Sequence, residues 1–493
     1  MTNFIAIDLG AESGRAMLGR LDNTLSLEEV HRFANGPVRI GDHLHWDILR
    51  LWDEVQAGLR LSAERVGGGL SGIGIDTWGV DYGLLDSADR LLGNPYHYRD
   101  ARTNGMIEAV CEIVPREEIY RQTGIQFMQL NTLFQLYSMR RSQDPTLQAA
   151  RTFLTIPDLL NFWLTGEKAN EFTNSTTTQC YNSNEKRWAD EMLARLGIPT
   201  RIFQPVTLPG TVLGQVRPRL TEETACGQIP VLAVGSHDTA SAVAAVPAED
   251  DNFIYISSGT WSLIGIETIQ PIVTPASLNY NMTNEGGVSG TIRFLKNIMG
   301  MWLLQECRRE WAHAGKNYSY DDLTRLAEEA PALKSLICPG DTFFLAPGNM
   351  VGRIQDYCQR SGQPIPQTDG EVVRCILQSL ALEYRRNAET LRELSGKSLP
   401  VIHIIGGGSR NRLLNQFTAD ATGCTVAAGP VEATAIGNVI IQAMALGQVA
   451  SLAEGRALIR NSFEVERFEP GNRPIWQDAY KRYLDLYPGN KKS

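Results

Sequence analysis

The sequence lacks the features that would suit a nucleic-acid or membrane partner. Its net charge is −9, and no block of basic residues is present that can follow a phosphate backbone. No run of about 18 apolar residues occurs, and the N-terminus has neither a basic segment nor a cleavage-site pattern. These absences argue against nucleic-acid and membrane partners and predict a cytoplasmic protein.

Cysteine is also sparse, with eight residues that form no Cys-x-x-Cys pair and no metal-type Cys/His spacing. Reduced, mostly buried thiols are therefore expected. Cys358 and Cys375 can approach each other across a helix pair, but nothing in the sequence establishes a bond between them.

A chain of 493 residues is too long to fold around one ordinary hydrophobic core, so two lobes are expected. An internal echo supports this interpretation: residues 4–10 and 253–259 are both apolar strands that end at a glycine. Each is followed by a second apolar strand, which predicts a hairpin in each half. Chance similarity between buried strands is an equal alternative for this echo on its own.

Strand candidates at 72–76 and 231–234 alternate with helical stretches at 49–66 and 103–113, which is typical of an α/β fold. An amphipathic helix is predicted over 371–395, ending at Gly396. The turn at 246–251 is the expected lobe junction. The predicted lobes are residues 1–247, holding the sugar site, the first phosphate loop and the catalytic carboxylate, and 248–493, holding the nucleotide site.

Two glycine-containing turns can hold phosphate. The sequence DLGAESGR at 8–15 can direct backbone N–H groups, a hydroxyl and a guanidinium at phosphate oxygens, and Asp8 can hold Mg²⁺ through water. The sequence SSGTWS at 257–262 offers a second set of hydroxyls beside a glycine. A plain hairpin turn remains an equal alternative for the first motif. A Walker A loop is excluded because Leu391 stands where its first glycine is required.

Asp238 follows an apolar strand in the sequence GSHDTA (235–240) and begins a helix of small residues. A carboxylate there stays ionised, because the helix N-terminus favours an anion, and it can accept a hydroxyl proton during phosphoryl transfer. An ordinary helix cap is the competing interpretation for Asp238, and a structural histidine is the competing one for His237.

Three further segments carry weaker signals. The sequence GIDTWGVD (74–81) sets two carboxylates, Asp76 and Asp81, and the indole of Trp78 around a glycine, a combination suited to a sugar. For this motif on its own, a buried tryptophan beside a turn is the favoured explanation. The triple-glycine turn after 401–405 can lie against adenine or ribose but fails the dinucleotide pattern. The segment 296–305 is predicted to be an amphipathic helix, with Asn297 and Gln305 as polar contacts.

Taken together, these segments resemble the FGGY carbohydrate kinase family over essentially the whole chain. The resemblance is carried by GIDTWGVD (74–81), YRDARTNG (98–105), SHDTAS (236–241), SSGTWS (257–262), TNEGG (283–287), KNIMG (296–300) and GPVEA (429–433). It implies an α/β fold of two ribonuclease-H-like, actin-like ATPase lobes that close a catalytic cleft on ATP and a ketose. Phosphate would go to O1 of the sugar.

The resemblance also implies residue roles, with Asp238 as the catalytic base. Positions that match ATP contacts are Ala11, Glu12, Ser13, Gly14, Arg15, Thr260, Gln305 and Gly407. Positions that match ketose contacts are Gly79, His237, Asp238, Thr239 and Asn297. Relatives acting on smaller polyols carry a bulky side chain at the place of Gly79, so its absence leaves room for a six-carbon deoxyketose. Ala11 and Glu12 depart from the usual first loop, and Glu12 is expected to point away or to face Mg²⁺ through water.

The hypothesis from sequence is Mg²⁺-dependent transfer of phosphate from ATP to O1 of L-rhamnulose, by a monomer or a homodimer. Another ketose, such as L-fuculose or L-xylulose, is the nearest rival. A filament-forming or chaperone-type actin-like ATPase is a rival from a different class, which the predicted sugar pocket disfavours. A catalytically inactive sugar sensor is disfavoured by the two phosphate loops and the carboxylate.

Overall fold

The computed structural model describes residues 1–471 and 473–487. The chain forms two compact units. Unit 1 comprises residues 1–249, 267–294 and 432–463, and unit 2 comprises 250–266, 295–431 and the described residues from 464 onward. The lobe boundary expected at 247/248, and the assignment of functions to the lobes, stay predictions.

The strands are β1 (Thr2–Leu9), β2 (Ser13–Leu21), β3 (Leu25–Ala34), β4 (Pro37–Ile40), β5 (His43–Trp46), β6 (Leu70–Thr77), β7 (Tyr82–Leu85), β8 (Thr152–Thr155), β9 (Asn170–Glu171), β10 (Tyr181–Asn182), β11 (Arg187–Trp188), β12 (Val206–Thr207), β13 (Val212–Gln215), β14 (Pro230–Leu232), β15 (Phe253–Ser258), β16 (Trp261–Thr268), β17 (Thr283–Gly286), β18 (Ile292–Met299), β19 (Val401–Ile405), β20 (Thr425–Ala428) and β21 (Glu466–Phe468).

The α-helices are α1 (Ile48–Val66), α2 (Met106–Cys111), α3 (Arg116–Thr123), α4 (Thr132–Arg141), α5 (Pro145–Ala149), α6 (Ile156–Thr165), α7 (Phe172–Thr177), α8 (Asp190–Arg195), α9 (Pro218–Thr224), α10 (Asp238–Ala244), α11 (Pro275–Asn279), α12 (Trp302–His313), α13 (Tyr320–Glu329), α14 (Met350–Arg360), α15 (Asp369–Ser395), α16 (Arg412–Thr422), α17 (Ala433–Ala445), α18 (Leu452–Ser462) and α19 (Arg473–Leu484). Short 3-10 turns lie at Ala101–Thr103, Thr200–Ile202, Thr342–Phe344 and Gly407–Arg410.

Unit 1 contains a six-stranded sheet in the order β13-β14-β6-β1-β2-β3. β1 pairs antiparallel with β2 as the predicted hairpin, and parallel with β6, which is itself parallel to β14. The carboxyl ends of β1, β6 and β14 therefore lie at one edge of the sheet, where ligand sites of open α/β sheets occur. Asp8, Thr77 and the segment that leads to Asp238 all lie at this edge.

The alternation of glycine and isoleucine in β6 has a packing reason. Ile73 and Ile75 point into the same hydrophobic core as Leu51 and Val55 of α1. The glycines face the other way, toward α17, where a Cβ on Gly74 would lie 2.5 Å from the Asn438 Oδ1 atom. The glycines of β6 thus allow α17 to approach the sheet closely.

A second core in unit 1 is built from residues 82–202. Helices α2, α3, α4 and α8 enclose it, with Leu133 and Phe153 among its fully buried residues. This substructure follows directly after β6 and the 74–81 turn, and its helices supply several groups that hold that turn.

In unit 2, β16, β15, β19, β20 and β21 are successive neighbours in a sheet. β15 pairs antiparallel with β16, the second predicted hairpin, and parallel with β19, so the arrangement of β1, β2 and β6 is repeated. The amphipathic helix predicted over 371–395 is α15, and Gly396 ends it at a φ of 70°. The α/β class is confirmed.

Two predicted helices differ from the structure. Residues 296–299 belong to strand β18, and only the segment from Trp302 onward is helical, because β18 is mostly buried and its apolar residues suit either period. The helix predicted over 103–113 is shortened to α2, since Gly105 adopts a φ of 72° directly before it.

Among the described residues, no helix is long and apolar enough to cross a membrane. The cytoplasmic location stays a prediction. The cysteines of the described chain, Cys358 and Cys375 included, are free thiols.

Candidate active site

The first loop joins β1 to β2 and is closed by a hydrogen bond from the Gly10 N–H to the Ser13 carbonyl. Asp8 and Arg15 face each other across the hairpin, and the Arg15 Nη2 atom lies 2.5 Å from the Asp8 Oδ2 atom. Arg15 Nη1 donates to Glu432, which precedes α17. Glu432 lies in a motif that the sequence singled out, but no role was predicted for it.

The other predicted residues of this loop differ in exposure. Ala11 and Ser13 are half-buried, Glu12 is exposed, and Gly14 is buried. A Cβ on Gly14 would lie 2.2 Å from the Phe33 ring, so the packing of β3 against β2 alone requires glycine at this position. The exposure of Glu12 agrees with the expectation that it points away, and its role stays a prediction.

Asp76, near the end of β6, is a buried carboxylate next to Asp8. The sequence offered it only as one of the two carboxylates of the 74–81 motif that suit a sugar. Its Oδ2 atom accepts a hydrogen bond of 2.6 Å from Asn438 Nδ2, and its Oδ1 atom has no hydrogen-bond partner. Burial, and then the charge of Asp8, raise the pKa of Asp76 well above its usual value. Burial also raises the pKa of Asp8, with opposition from Arg15 and reinforcement from Asp238. The three aspartates therefore form one electrostatic cluster.

Asp238 is the first residue of α10, with His237 at the N-cap position. Its side chain is 31% exposed. The Oδ1 atom accepts hydrogen bonds from the Thr239 N–H at 2.5 Å and the Thr239 hydroxyl at 3.0 Å, and it lies 3.5 Å from His237 Nε2. All three contacts are made by Oδ1, and Oδ2 has no hydrogen-bond partner among the described residues.

Glu171 holds the segment that leads to Asp238. It is fully buried, and its Oε2 atom accepts hydrogen bonds from the Ser236 hydroxyl at 2.6 Å and the Ser236 N–H at 3.3 Å. The Thr77 N–H donates to the Ser236 carbonyl at 2.9 Å, and the His237 N–H donates to the Thr173 hydroxyl at 3.1 Å. Burial raises the pKa of Glu171, against the effect of its hydrogen-bond donors in Ser236, Thr173 and Asn174. None of these supports was predicted, since they join residues more than 60 positions apart.

Trp78 and Asp81 form a buried pair in the 74–81 turn. The Asp81 Oδ2 atom accepts from the indole nitrogens of Trp46 at 2.6 Å and Trp78 at 3.0 Å, and from the Tyr98 N–H at 3.2 Å. Its Oδ1 atom accepts from Gln135 Nε2 at 2.9 Å. Burial raises the pKa of Asp81 to about 6. Both oxygens of Asp81 are occupied, so its evident action is to orient Trp78, while direct contact with a sugar stays a prediction.

Val80 has a φ of 70°, which is unusual for a β-branched residue. Its N–H donates to the Thr177 hydroxyl at 3.2 Å, and its carbonyl accepts from the Thr132 hydroxyl at 2.6 Å. Helices α7 and α4 thus hold the strained residue from two sides, as is common at functional sites. A Cβ on Gly79 would lie 3.1 Å from the same Thr177 hydroxyl, so space beside Gly79 is limited by α7.

In unit 2, the predicted second phosphate loop is tied to the segment before α12. The Met301 N–H donates to the Gly259 carbonyl at 3.0 Å, and the Gly300 N–H donates to the Thr260 carbonyl at 3.1 Å. A Cβ on Gly300 would lie 2.8 Å from the Ser262 N atom, so this contact requires glycine. The backbone of the 257–262 loop is therefore fixed by these contacts, and contact between the Thr260 side chain and a nucleotide stays a prediction.

The triple-glycine turn of unit 2 packs against the end of β15. A Cβ on Gly408 would lie 2.0 Å from the Ser258 hydroxyl, whereas a Cβ on Gly407 would meet no atom within 4 Å. Gly407 is therefore the glycine of the turn that borders open space. In α12, the Gln305 Oε1 atom is buried without a hydrogen-bond partner. An unsatisfied buried acceptor is uncommon, so it fits the predicted contact with a bound group. Asn297 lies in β18.

Unit 1 thus brings together Asp8, Arg15, Trp78, Gly79, Asp81, His237, Asp238 and Thr239, while Thr260, Gln305, Gly407 and Asn297 lie in unit 2. Among the described residues, no cluster of three or more histidine, cysteine or acidic side chains can hold a metal ion by itself. The absence of such a cluster is compatible with Mg²⁺, because Mg²⁺ keeps several of its water ligands and also binds the phosphate oxygens of the substrate.

Residues 3–245 match the N-terminal domain, and residues 254–446 the C-terminal domain, of the FGGY family of carbohydrate kinases. The chain belongs to this family. A rhamnulokinase from Bacteroides thetaiotaomicron is 47% identical over 479 residues, which cover 97% of this chain and 98% of that protein. A rhamnulokinase from Oceanobacillus iheyensis is 44% identical over 462 residues, covering 94% and 97%.

Solved structures of sugar kinases share the fold. A ligand-bound xylulose kinase from Lactobacillus acidophilus superposes with a TM-score of 0.83 at 15% identity, covering 99% of this chain and 98% of that one. A glycerol kinase from Plasmodium falciparum with ADP gives 0.77 at 16% identity, covering 98% of both chains. The expected actin-like ATPase fold with two ribonuclease-H-like lobes is confirmed, and the catalytic cleft between them stays a prediction.

Proposed function

We propose that this protein transfers the terminal phosphate of ATP to O1 of L-rhamnulose, giving L-rhamnulose 1-phosphate and ADP. The observation that carries the proposal is the Asp238 carboxylate, which is accessible at a helix N-terminus and whose Oδ2 atom has no hydrogen-bond partner in the part of the chain that the structure describes. The substrate is supported by the relatives named rhamnulokinase, which match this chain over nearly its whole length.

In the proposed mechanism, Asp238 accepts the O1 proton through Oδ2 as the oxygen attacks phosphorus. The Thr239 N–H and hydroxyl hold the other oxygen, which fixes the orientation of the carboxylate. Trp78 offers an apolar face to the sugar ring, and His237 and Asn297 offer polar groups to its hydroxyls. These roles are the ones predicted from the sequence for the same residues.

The nucleotide is proposed to contact residues 11–15, Thr260, Gln305 and Gly407. Arg15 offsets negative charge on the phosphates. When bound, Mg²⁺ would supply charge neutralisation at the phosphate oxygens, and Asp8 would hold it through water. Burial, and after it repulsion from neighbouring carboxylates, raises the pKa of Asp8 and Asp76, so a cation beside them would offset the clustered negative charge. Oligomeric state, monomer or homodimer, stays a prediction.

Replacing Asp238 by Asn tests the base. We expect kcat to fall by at least about 10²-fold, because the amide keeps the shape but cannot take the proton. Thr239→Val is the companion variant: it removes one donor to Oδ1 and keeps the carboxylate, so it should retain more activity. If folded Asp238→Asn turns over at a near-normal rate, the base has been assigned wrongly.

The substrate is tested separately, by following ADP formation with ATP and Mg²⁺ on a panel of ketoses. We expect the highest kcat/KM with L-rhamnulose. A clear preference for L-fuculose or L-xylulose would overturn the substrate and leave the kinase chemistry intact, whereas ATP turnover that is independent of any sugar would overturn both.

A further inference from the structure

A buried arginine lies directly behind His237. Arg293, in β18, is fully buried, and its Nη2 atom lies 3.0 Å from the His237 Nδ1 atom. Its Nε atom donates to the Gly286 carbonyl at 2.8 Å, which fixes the plane of the guanidinium. Arg293 had no predicted role, and it reaches His237 from 56 positions away in the sequence.

Glu285 accompanies this arginine. Its Oε2 atom lies 3.2 Å from Arg293 Nη2 and 3.3 Å from His237 Nδ1. A guanidinium remains charged at every accessible pH, so a fully buried one needs a compensating anion. Glu285 supplies that charge. His237 therefore faces a matched pair of opposite charges on its Nδ1 side and the carboxylate of Asp238 on its Nε2 side.

We infer that Arg293 holds His237 as a neutral imidazole with its proton on Nε2, and that Arg293 is thereby a positioning residue of the active site. A guanidinium has only donors, and its Nη2 atom lies closer to the ring nitrogen, at 3.0 Å, than the Glu285 carboxylate does, at 3.3 Å, so the contacted nitrogen acts as an acceptor. Nδ1 is that nitrogen, and the single proton of the neutral ring then belongs to Nε2. In the opposite tautomer, the N–H group on Nδ1 would point at the donors of the guanidinium, and the lone pair of Nε2 would face the carboxylate of Asp238.

The consequence for Asp238 follows from the geometry of its two oxygens. His237 Nε2–H, the Thr239 N–H and the Thr239 hydroxyl all lie on the Oδ1 side, at 3.5, 2.5 and 3.0 Å. A fixed Nε2–H thus keeps a donor on Oδ1 or on a neighbouring sugar hydroxyl, while Oδ2 retains the lone pairs for the reacting hydroxyl. This last step rests on the proposed function, but the tautomer itself does not.

The tautomer can be measured directly by ¹⁵N NMR of histidine in the full chain. Only seven histidines are present, and the variant His237→Gln assigns the signals of His237 by their loss. We expect an unprotonated Nδ1 and a protonated Nε2 in the wild type near neutral pH. A protonated Nδ1 with an unprotonated Nε2, or a doubly protonated ring, would overturn the inference. The measurement needs neither turnover nor a known sugar, so it is independent of the proposed reaction.

Kinetics test the positioning role. The double variant Arg293→Met/Glu285→Gln removes both buried charges together, so neither is left uncompensated. We expect kcat to fall roughly 10- to 100-fold through misorientation of the catalytic groups, with KM for ATP nearly unchanged, and mixed tautomers in the His237 signals. Arg293→Lys keeps a charged donor and should recover part of kcat and the single tautomer.

Arg456 and Glu267 provide a matched control, because they form another buried ion pair in unit 1. The variant Arg456→Met/Glu267→Gln should leave the His237 tautomer unchanged. Wild-type kcat in folded Arg293→Met/Glu285→Gln, or an unchanged single tautomer there, would remove Arg293 from the site. If that variant does not fold, the wild-type and Arg293→Lys spectra decide the question.

Discussion

Gly437→Ala tests whether the close approach of α17 to α10 positions Asp238. A Cβ on Gly437 would lie 1.8 Å from the Ser241 carbonyl oxygen, one turn beyond Asp238 in α10. Contacts below 3.0 Å are essentially never made by real Cβ atoms, and the opposing atom is backbone, so one helix must move by more than 1 Å. The substitution therefore acts on α10, which begins at Asp238, without changing the identity of any residue in that helix.

Two effects of Gly437→Ala oppose each other. Alanine favours a helix interior over glycine by about 1 kcal/mol, whereas overpacking costs about 1–3 kcal/mol. Because the clash is with backbone, the upper part of that range applies, and a net loss of about 2 kcal/mol in the free energy of unfolding is expected. A shift of about 1 Å at Asp238 should lower kcat by roughly 10²-fold.

Urea unfolding and ADP-coupled kinetics measure the two quantities on one preparation. Gly36→Ala is the control, since a Cβ there would meet no atom within 4 Å, and it should leave both unchanged. A stability gain of about 1 kcal/mol in Gly437→Ala, the value expected from helix propensity alone, would refute the contact. Wild-type kcat would refute its role in placing Asp238.

Further predictions concern three other positions. Gly79→Ala should raise KM for the ketose while leaving KM for ATP unchanged, because the added Cβ presses on Thr177, 3.1 Å away; equal KM values for the ketose would contradict the space argument. The pKa of Asp81 is raised to about 6 from 3.8, so the folded state binds the proton more tightly, and wild-type stability should fall by about 3 kcal/mol as pH rises through that window. Asp81→Asn lacks this decline, so its stability relative to wild type, measured by urea unfolding at pH 4 and pH 7, should improve toward neutral pH by most of that amount, since pH 4 lies just above the unfolded-state pKa. A constant difference would refute the raised pKa. Glu171→Gln places an amide N–H₂ group or a weaker acceptor against the Ser236 donors. We expect a loss of about 1–3 kcal/mol in the free energy of unfolding and a lower kcat. An unchanged kcat would show that Glu171 does not support the segment that leads to Asp238.

The elements that the sequence predicts best are those with one unambiguous period. Both hairpins, and the long helix that ends at Gly396, were predicted correctly because their apolar residues and glycines agree on one structure. Strand β18 was mistaken for part of a helix, since a buried strand carries apolar residues on both faces and loses its alternation. Local pattern therefore predicts most elements, but it is ambiguous where an apolar run fits a strand and a helix equally well.

The supports of the candidate site could not be predicted from local sequence at all. Glu171 holds Ser236 from 65 positions away, and Arg293 holds His237 from 56 positions away. No sequence pattern indicates the partner of Glu171 or Arg293, because one isolated charged residue forms no periodic pattern along the chain. The motif residues could be identified as candidates from the sequence, whereas the residues that orient them could be identified only from the structure.

The different environments of the three clustered aspartates favour Asp238 as the proton acceptor. Asp76 is fully buried, which keeps it from direct contact with a substrate hydroxyl, and burial raises its pKa well above the usual value. Asp8 is ionically paired with Arg15, which would have to be released before Asp8 could take a proton. Asp238 has no such partner, lies at the N-terminus of α10, and keeps Oδ2 accessible. Burial and pairing thus give three chemically identical groups different environments, and Asp238 is the one that suits the proposed base.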